Sequence, residues 1–322
     1  MIAQRDATAA ATKRVWLWHV HGSYTTSLVQ GRHAYYLPAL PDRGPDGRGR
    51  ARTWDWPANA IEVAPGDARD LDVDVVVLQR PHEIELAEQW LGRRPGRDIP
   101  AIYLEHNAPQ GRIAELRHPA ADRGDLTIVH VTHFNALFWD CGKTPVRVIE
   151  HGIVDPGYRY TGELPRAAVA INEPVRRGRV TGTDLLPRFA ESIPLDLFGI
   201  GAGAVGGLED PPQSVLHAEL PRRRVYLHPM RWTSLGLTLI EAMQLGMPVV
   251  ALATTEAVEA VPPDCGVIST DVARLCAALR EYAGDPSLAA ATGRRARAYA
   301  LERYGLDRFL RAWDSLFCEV TS

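Results

Sequence analysis

Apolar and polar positions alternate in blocks along the chain. Nearly continuous apolar runs at residues 15–20, 73–78, 99–104 and 126–131 are separated by helix-like stretches such as 83–91. Runs of that length between helices predict strands buried on both faces, hence a parallel sheet with helices on either side. Residues 43–52 are rich in Gly, Pro and Arg and read as a loop. The stretch 146–157 reads as a strand leaving this unit and entering a linker. The alternation then restarts, with strand patterns at 167–171, 195–198, 225–227 and 248–252 and helix patterns at 183–192, 237–245 and 272–283. Residues 287–317 read as two helices interrupted near Gly305. The pattern predicts an α/β protein of two doubly wound, parallel-sheet, Rossmann-like domains, 1–155 and 156–302. Ligands of such sheets sit beyond the carboxyl ends of the strands, so two of them face each other across a cleft.

Composition narrows the partners. The 322 residues are 46% hydrophobic and 23% charged, with a net charge of -3. No strong field draws nucleic acid or an anionic membrane to such a chain. No apolar run reaches the ~18 residues of a membrane span, and residues 1–14 lack the apolar core of a signal peptide and read as a mobile tail. Cys141, Cys265, Cys276 and Cys318 lie far apart and form no zinc-type cluster. Free thiols in a reducing cytoplasm are expected. Asp72 and Asp74 share one face at the start of a strand and read as a solvated edge rather than a metal site, so no metal and no cofactor are expected.

The candidate chemistry centres on HPMRWTSLGLTLIEAMQLGMPVVA, residues 228–251. Thr233 or Ser234 can cap a helix start, and Gly246 followed by Pro248 ends that helix. With Gly236 leaving its N-terminus open, the helix start is an anion site. Glu241 lies eight residues beyond Thr233, ~12 Å along a helix at ~1.5 Å per residue. That span matches a nucleotide sugar from its sugar across the diphosphate to its ribose, where a carboxylate can accept from two vicinal hydroxyls. The plainer reading is a solvated or capping Glu at a helix edge.

The same string resembles the donor-site signature of glycosyltransferase family 4, retaining enzymes of the GT-B fold. The family pattern runs Glu-Gly-Phe-Gly-Leu, three residues, then a second Glu followed by Ala-Met and Gly-x-Pro-Val-Val. Here the second Glu is Glu241 and the Gly-Leu pair is Gly236 and Leu237, whereas the first Glu falls at Thr233. VIEHGIVD (148–155) is similar to the family's interdomain linker, and DPSL (285–288) with ERYGLDRF (302–309) resemble its last helices. The resemblance implies that a C-terminal helix, 303–322, crosses back onto the first domain. It implies a donor site of Thr233, Ser234, Leu235, Gly236, Leu237 and Glu241. AINEPVRRGRVTGTDLL (170–186) is similar to the segment in which an Arg and a later Lys hold the phosphates. Arg176 matches the Arg, the Lys falls at Thr181, and Arg179 or Arg177 supplies the missing charge.

In the first domain, WHVHGSYTTS (18–27) is a strand-to-helix turn in which Gly22 lets a phosphate or acceptor approach, or simply makes the turn. Family members place a His near the reacting sugar at the point where LEHNAP (104–109) falls. His106 is therefore the candidate catalytic residue, with a loop cap as the alternative. His133 and Asn135 are weaker acceptor-side candidates, and Trp54 and Trp56 stack on a sugar or fill the core. The expected function is retaining, metal-independent transfer of a sugar from a nucleoside-diphosphate sugar to an acceptor of unread identity: a small molecule, a glycan or a lipid headgroup. A non-catalytic nucleotide-sugar-binding protein and a nucleotide-sugar epimerase are the rival expectations.

Overall fold

The computed structural model describes residues 11–322. Most of the expected tail lies outside the described residues, and Arg14 already opens the first strand. In chain order the first domain contains β1 (Arg14–Leu17), α1 (Gly22–Leu28), β2 (Ala34–Pro38), β3 (Ala60–Val63), β4 (Val75–Leu78), α2 (Glu83–Leu91), β5 (Ala101–Glu105), β6 (Thr127–His130), α3 (His133–Phe138) and β7 (Val146–Val148). The second contains β8 (Leu164–Ala170), α4 (Pro174–Thr181), α5 (Leu186–Ala190), β9 (Leu195–Gly199), β10 (Leu208–Glu209), α6 (Gln213–Glu219), β11 (Arg223–His228), α7 (Leu237–Leu245), β12 (Val249–Leu252), α8 (Ala257–Ala260), β13 (Gly266–Ser269), α9 (Val272–Gly284) and α10 (Pro286–Tyr304). The helix α11 (Leu306–Val320) follows.

The strands form two parallel sheets in the orders β3-β2-β1-β4-β5-β6-β7 and β10-β9-β8-β11-β12-β13. Each order reverses once, at β1/β4 and at β8/β11, and the crevice beyond the carboxyl ends of those strands is where doubly wound sheets take ligands. Alternation along β1 shows why both faces are covered: Val15 and Leu17 enter one buried cluster, Trp16 and, just past the strand's end, Trp18 the other.

The strands the pattern did not predict are β2, β3, β10 and β13. They are short, and all four lie at or next to a sheet edge, where a strand needs no long apolar run. The expected helix over 183–192 is a 3-10 turn at Thr183–Leu185 followed by α5, because Pro187 starts a new helix rather than continuing one. Asp72 and Asp74 both pair with Arg14 at the edge of β1. The four cysteines are free. Among the described residues no helix is long and apolar enough to cross a membrane.

The chain ends in the domain where it began. Phe309, Trp313, Leu316 and Phe317 recur on one face of α11 and are buried with Val15, Leu28 and Val77 of the first domain. The Trp313 indole donates to the Tyr24 hydroxyl at 3.1 Å. On the second-domain side, α10 comes so close to the end of α7 that a side chain at Gly293 would meet the carbonyl oxygen of Gly246.

Candidate active site in the interdomain cleft

The two switch points open into one cavity of about 590 Å³, a size suited to a small ligand. Its second-domain wall includes Thr233, Ser234, Leu235, Gly236, Leu237 and Glu241, and its first-domain wall includes Gly22, His106, His21, Trp54 and Arg48. Residues more than a hundred positions apart therefore face one space.

The helix α7 spans Leu237–Leu245 and stops where Gly246 takes a φ of 95°. The expected side-chain cap is not there. Gly236 occupies the cap position, and no side chain bonds the first turn. Ser234 Oγ instead lies 3.3 Å from Thr132 Oγ1 across the cleft, and the buried Thr233 Oγ1 has no partner. The N-terminus of α7 is open to the cavity as a result. His228 lies over it so closely that a Cβ on Gly236 would come within 2.9 Å of the ring. Because the helix begins at Leu237, only half of the step from Thr233 to Glu241 is helical, and the 12 Å straight-line estimate does not hold.

Glu241 is 3% exposed. Gln213 Nε2 donates to its Oε1 at 2.6 Å, and His217 Nε2 lies 3.6 Å from Oε2. Both partners stand on α6, in a Gly/Pro-rich stretch whose motifs are too diffuse to read. Spacing alone could have flagged them, because Gln213 and His217 are one helical turn apart and share a face.

The arginines are distributed differently from the expectation. Arg176 Nε pairs with Glu173 at 3.0 Å and Arg179 with Asp184 at 3.0 Å, and neither lines the cavity. Arg177 does. Arg176 and Arg177 are adjacent on the first turn of α4, where successive residues point about 100° apart, and Arg179 follows a break at Gly178, which is non-helical at φ 39°, ψ -108°. Arg177 is half-buried, has no carboxylate within ion-pair distance among the described residues, and burial lowers its pKa from the usual guanidinium value. A desolvated, unpaired guanidinium on a cavity wall is suited to an anionic ligand. Gly22 lines the cavity as the first residue of α1, and a Cβ there would meet Trp54 Nε1 at an ordinary 3.6 Å.

His106 is held by a relay. Buried Glu83 accepts from the backbone N–H of Gln79 at 2.6 Å, Gln79 Nε2 donates to the Trp18 carbonyl at 2.7 Å, and Gln79 Oε1 lies 3.0 Å from His106 Nε2. With the amide nitrogen committed to Trp18, Oε1 must accept, so His106 carries its proton on Nε2 and keeps Nδ1 as an acceptor. His21 and Tyr24 pack on its ring at 4.2 and 4.7 Å. Burial, with His21 and His151 beside it, holds His106 well below the usual imidazole range. Trp56 lies in the core and donates to Thr26 Oγ1 at 2.7 Å. Neither His133 nor Asn135 lines the cavity: Thr132 caps α3 through the Asn135 N–H, which buries Asn135 beneath that helix.

Several buried imidazoles give the fold a pH dependence. Burial pushes His130, His151 and His228 down to about 4, whereas the unfolded chain protonates its histidines near 6.5. Between those values the unfolded state binds more protons. Stability therefore falls as pH drops from ~6.5 to ~4, by about 1.4 kcal/mol per pH unit for each fully titrating imidazole, and does not change through these groups above ~6.5. Urea midpoints should drop from pH 7 to pH 5 and stay level from pH 7 to pH 8. Equal midpoints at pH 5 and pH 7 would show that these rings are not buried neutral.

Residues 203–285, which hold α6, α7 and the string around Glu241, match the family model described as Glycosyl transferases group 1. A search of the curated proteins finds no match. Among solved structures the chain resembles sucrose-phosphate synthase from Thermosynechococcus elongatus, with TM-score 0.70 and 13% identity over 95% of this chain and 98% of that one. It also resembles Anabaena HepE in complex with UDP, with TM-score 0.68 and 13% identity over 96% and 100%, and a glycosyltransferase from Rickettsia africae, with TM-score 0.61 and 11% identity over 96% and 98%. The fold is GT-B. In this GT-B chain the cleft between the sheets is also where the matched segment meets the first domain, through Ser234 and Thr132 and through the Trp232 indole, which donates to the Pro109 carbonyl at 2.6 Å. Among the described residues no group of three or more His, Cys, Asp or Glu is placed to hold a metal ion.

Proposed function

We propose that the protein is a retaining, metal-independent glycosyltransferase of family 4 that uses a nucleoside-diphosphate sugar. The observation that carries the reading is the pairing of a buried carboxylate, Glu241, with the uncapped N-terminus of its own helix, both in the cavity at the β8/β11 switch point. Glu241 accepts the two ribose hydroxyls, exchanging the amide of Gln213 for them. The diphosphate lies at Gly236 and Leu237, where the helix end favours an anion, and Arg177 adds the countercharge. The sugar extends past Thr233 towards His106. The family model and the GT-B neighbours support a nucleotide-sugar transferase reading, and HepE was solved with UDP and with UDP-glucose, which puts uridine donors first in a screen.

In the reaction the bond from the anomeric carbon to the diphosphate oxygen breaks with its electron pair leaving on phosphate. The acceptor oxygen bonds to the same face of that carbon, and its proton passes to the departing phosphate oxygen. Arg177 and the helix N-terminus stabilise the charge that develops there. Closure of the two domains keeps out water.

The test is a screen of UDP-, GDP-, ADP- and TDP-sugars against a panel of sugar, polyol and lipid-headgroup acceptors, with and without EDTA. The expected result is acceptor-dependent release of one nucleoside diphosphate, undiminished by EDTA, with the donor's anomeric configuration kept in the product. A new sugar nucleotide without transfer would identify an epimerase, and tight binding without turnover a binding protein.

A further inference from the structure

His151 stands in the linker between the two sheets and is 4% exposed, and neither of its ring nitrogens has a partner in the protein. Two other groups share that condition on the opposite wall: His228 Nδ1 and Thr233 Oγ1 are buried without partners. All three residues line the cavity. Buried polar atoms are nearly always hydrogen-bonded, so three unpaired ones around a single space mark the place of a polar ligand.

The position of His151 is fixed from both sides. The Ile149 N–H bonds the His130 carbonyl at 3.0 Å, and the Ile153 N–H bonds the Tyr304 carbonyl at 3.1 Å. Gly152 lies directly under Phe309, with no room there for a side chain. The ring meets Tyr24 edge-on at 5.7 Å, and Tyr24 also meets His106 edge-on at 4.7 Å. His151 and His106 thus share Tyr24 as a ring neighbour on the first-domain side of the cleft.

We propose that His151 hydrogen-bonds a hydroxyl of the transferred sugar, and that with Thr233 and His228 it makes this part of the cavity a site for a neutral, polyhydroxylated sugar. The proposal rests on the nucleotide-sugar reading above. Each of the three groups is uncharged in its buried state and both donates and accepts. A sugar hydroxyl does the same, so each pairs without leaving a proton or a lone pair stranded. A carboxylate on the sugar would instead lose its hydration against neutral groups.

The experiment is calorimetric titration of the full chain with UDP, UDP-glucose and UDP-glucuronate, and with GDP and GDP-mannose, for the wild type, His151→Phe and His151→Asn. His151→Ala replaces the phenylalanine variant if the larger ring unfolds the protein. The wild type should bind the neutral sugar nucleotide more tightly than the bare diphosphate, and UDP-glucuronate no more tightly than UDP. In His151→Phe that sugar-dependent gain should shrink about three- to tenfold, the worth of one or two neutral hydrogen bonds, while affinity for the bare diphosphate stays within about twofold. His151→Asn, which keeps a donor and an acceptor, should recover part of the gain. An undiminished gain in His151→Phe, or glucuronate bound as well as glucose, overturns the proposal and leaves the donor reading standing. Failure of every nucleotide to bind the wild type overturns the donor reading, and the proposal falls with it.

Discussion

Glu241→Ala should weaken binding of the preferred nucleoside diphosphate about a hundredfold or more without unfolding the protein. Two hydroxyls donating to one buried carboxylate form charge-assisted bonds, each worth about 1.5–3 kcal/mol, and about 2.8 kcal/mol in total is already a factor of one hundred. Stability should change much less. In the unliganded protein the side chain meets the Gln213 amide at 2.6 Å and His217 at 3.6 Å, and those two lie 2.7 Å from each other, so each keeps a partner without Glu241. Calorimetry on the folded variant checks the first part and thermal melting the second. Undiminished affinity in a folded Glu241→Ala protein would remove Glu241 from the site.

Trp313→Ala should cost about 3–5 kcal/mol of stability, in the range for deleting a large aromatic from a packed core. Trp313 is 1% exposed within the first-domain core and also holds the Tyr24 hydroxyl at 3.1 Å. Tyr24 lines the cavity and backs His106 and His151. The variant should therefore lose nucleotide-sugar binding as well, although Trp313 itself touches no ligand. Urea denaturation measures the first effect. A loss below about 1 kcal/mol would mean that α11 contributes little to the first domain.

The helix that carries Glu241 was legible almost to the residue, because Gly246 and Pro248 stop it chemically and the apolar run fills it. The two parallel-sheet domains were legible in outline from long apolar runs such as 73–78 and 126–131, but the order of their strands, with the short β2, β3, β10 and β13, was not. What the sequence concealed follows from geometry that single residues do not announce. Three basic candidates within four residues could meet the phosphates; neighbouring positions on a helix turn point about 100° apart, so Arg177 faces the cavity while Arg176 turns to Glu173, and Arg179, past the break at Gly178, turns to Asp184. The partners of Glu241 come from α6, and the imidazoles of His21 and His151 reach the cleft from segments 130 residues apart, which no local pattern connects. The cap expected from Thr233 or Ser234 failed for a related reason: Ser234 finds Thr132 in the other domain, a competitor invisible to a local rule.

The crossing of α11 sets an order of assembly. The first domain's strands are complete at Val148, but their core still lacks Phe309, Trp313, Leu316 and Phe317. At ~5–20 residues per second, a ribosome needs roughly ten to thirty seconds to run from one to the other. During that interval the second domain can close around its own core while the first exposes an apolar groove on the sheet face that α11 later fills. A nascent chain at this stage is a substrate for chaperones, and a message cut short after α10 would yield a protein with one finished domain and one open one.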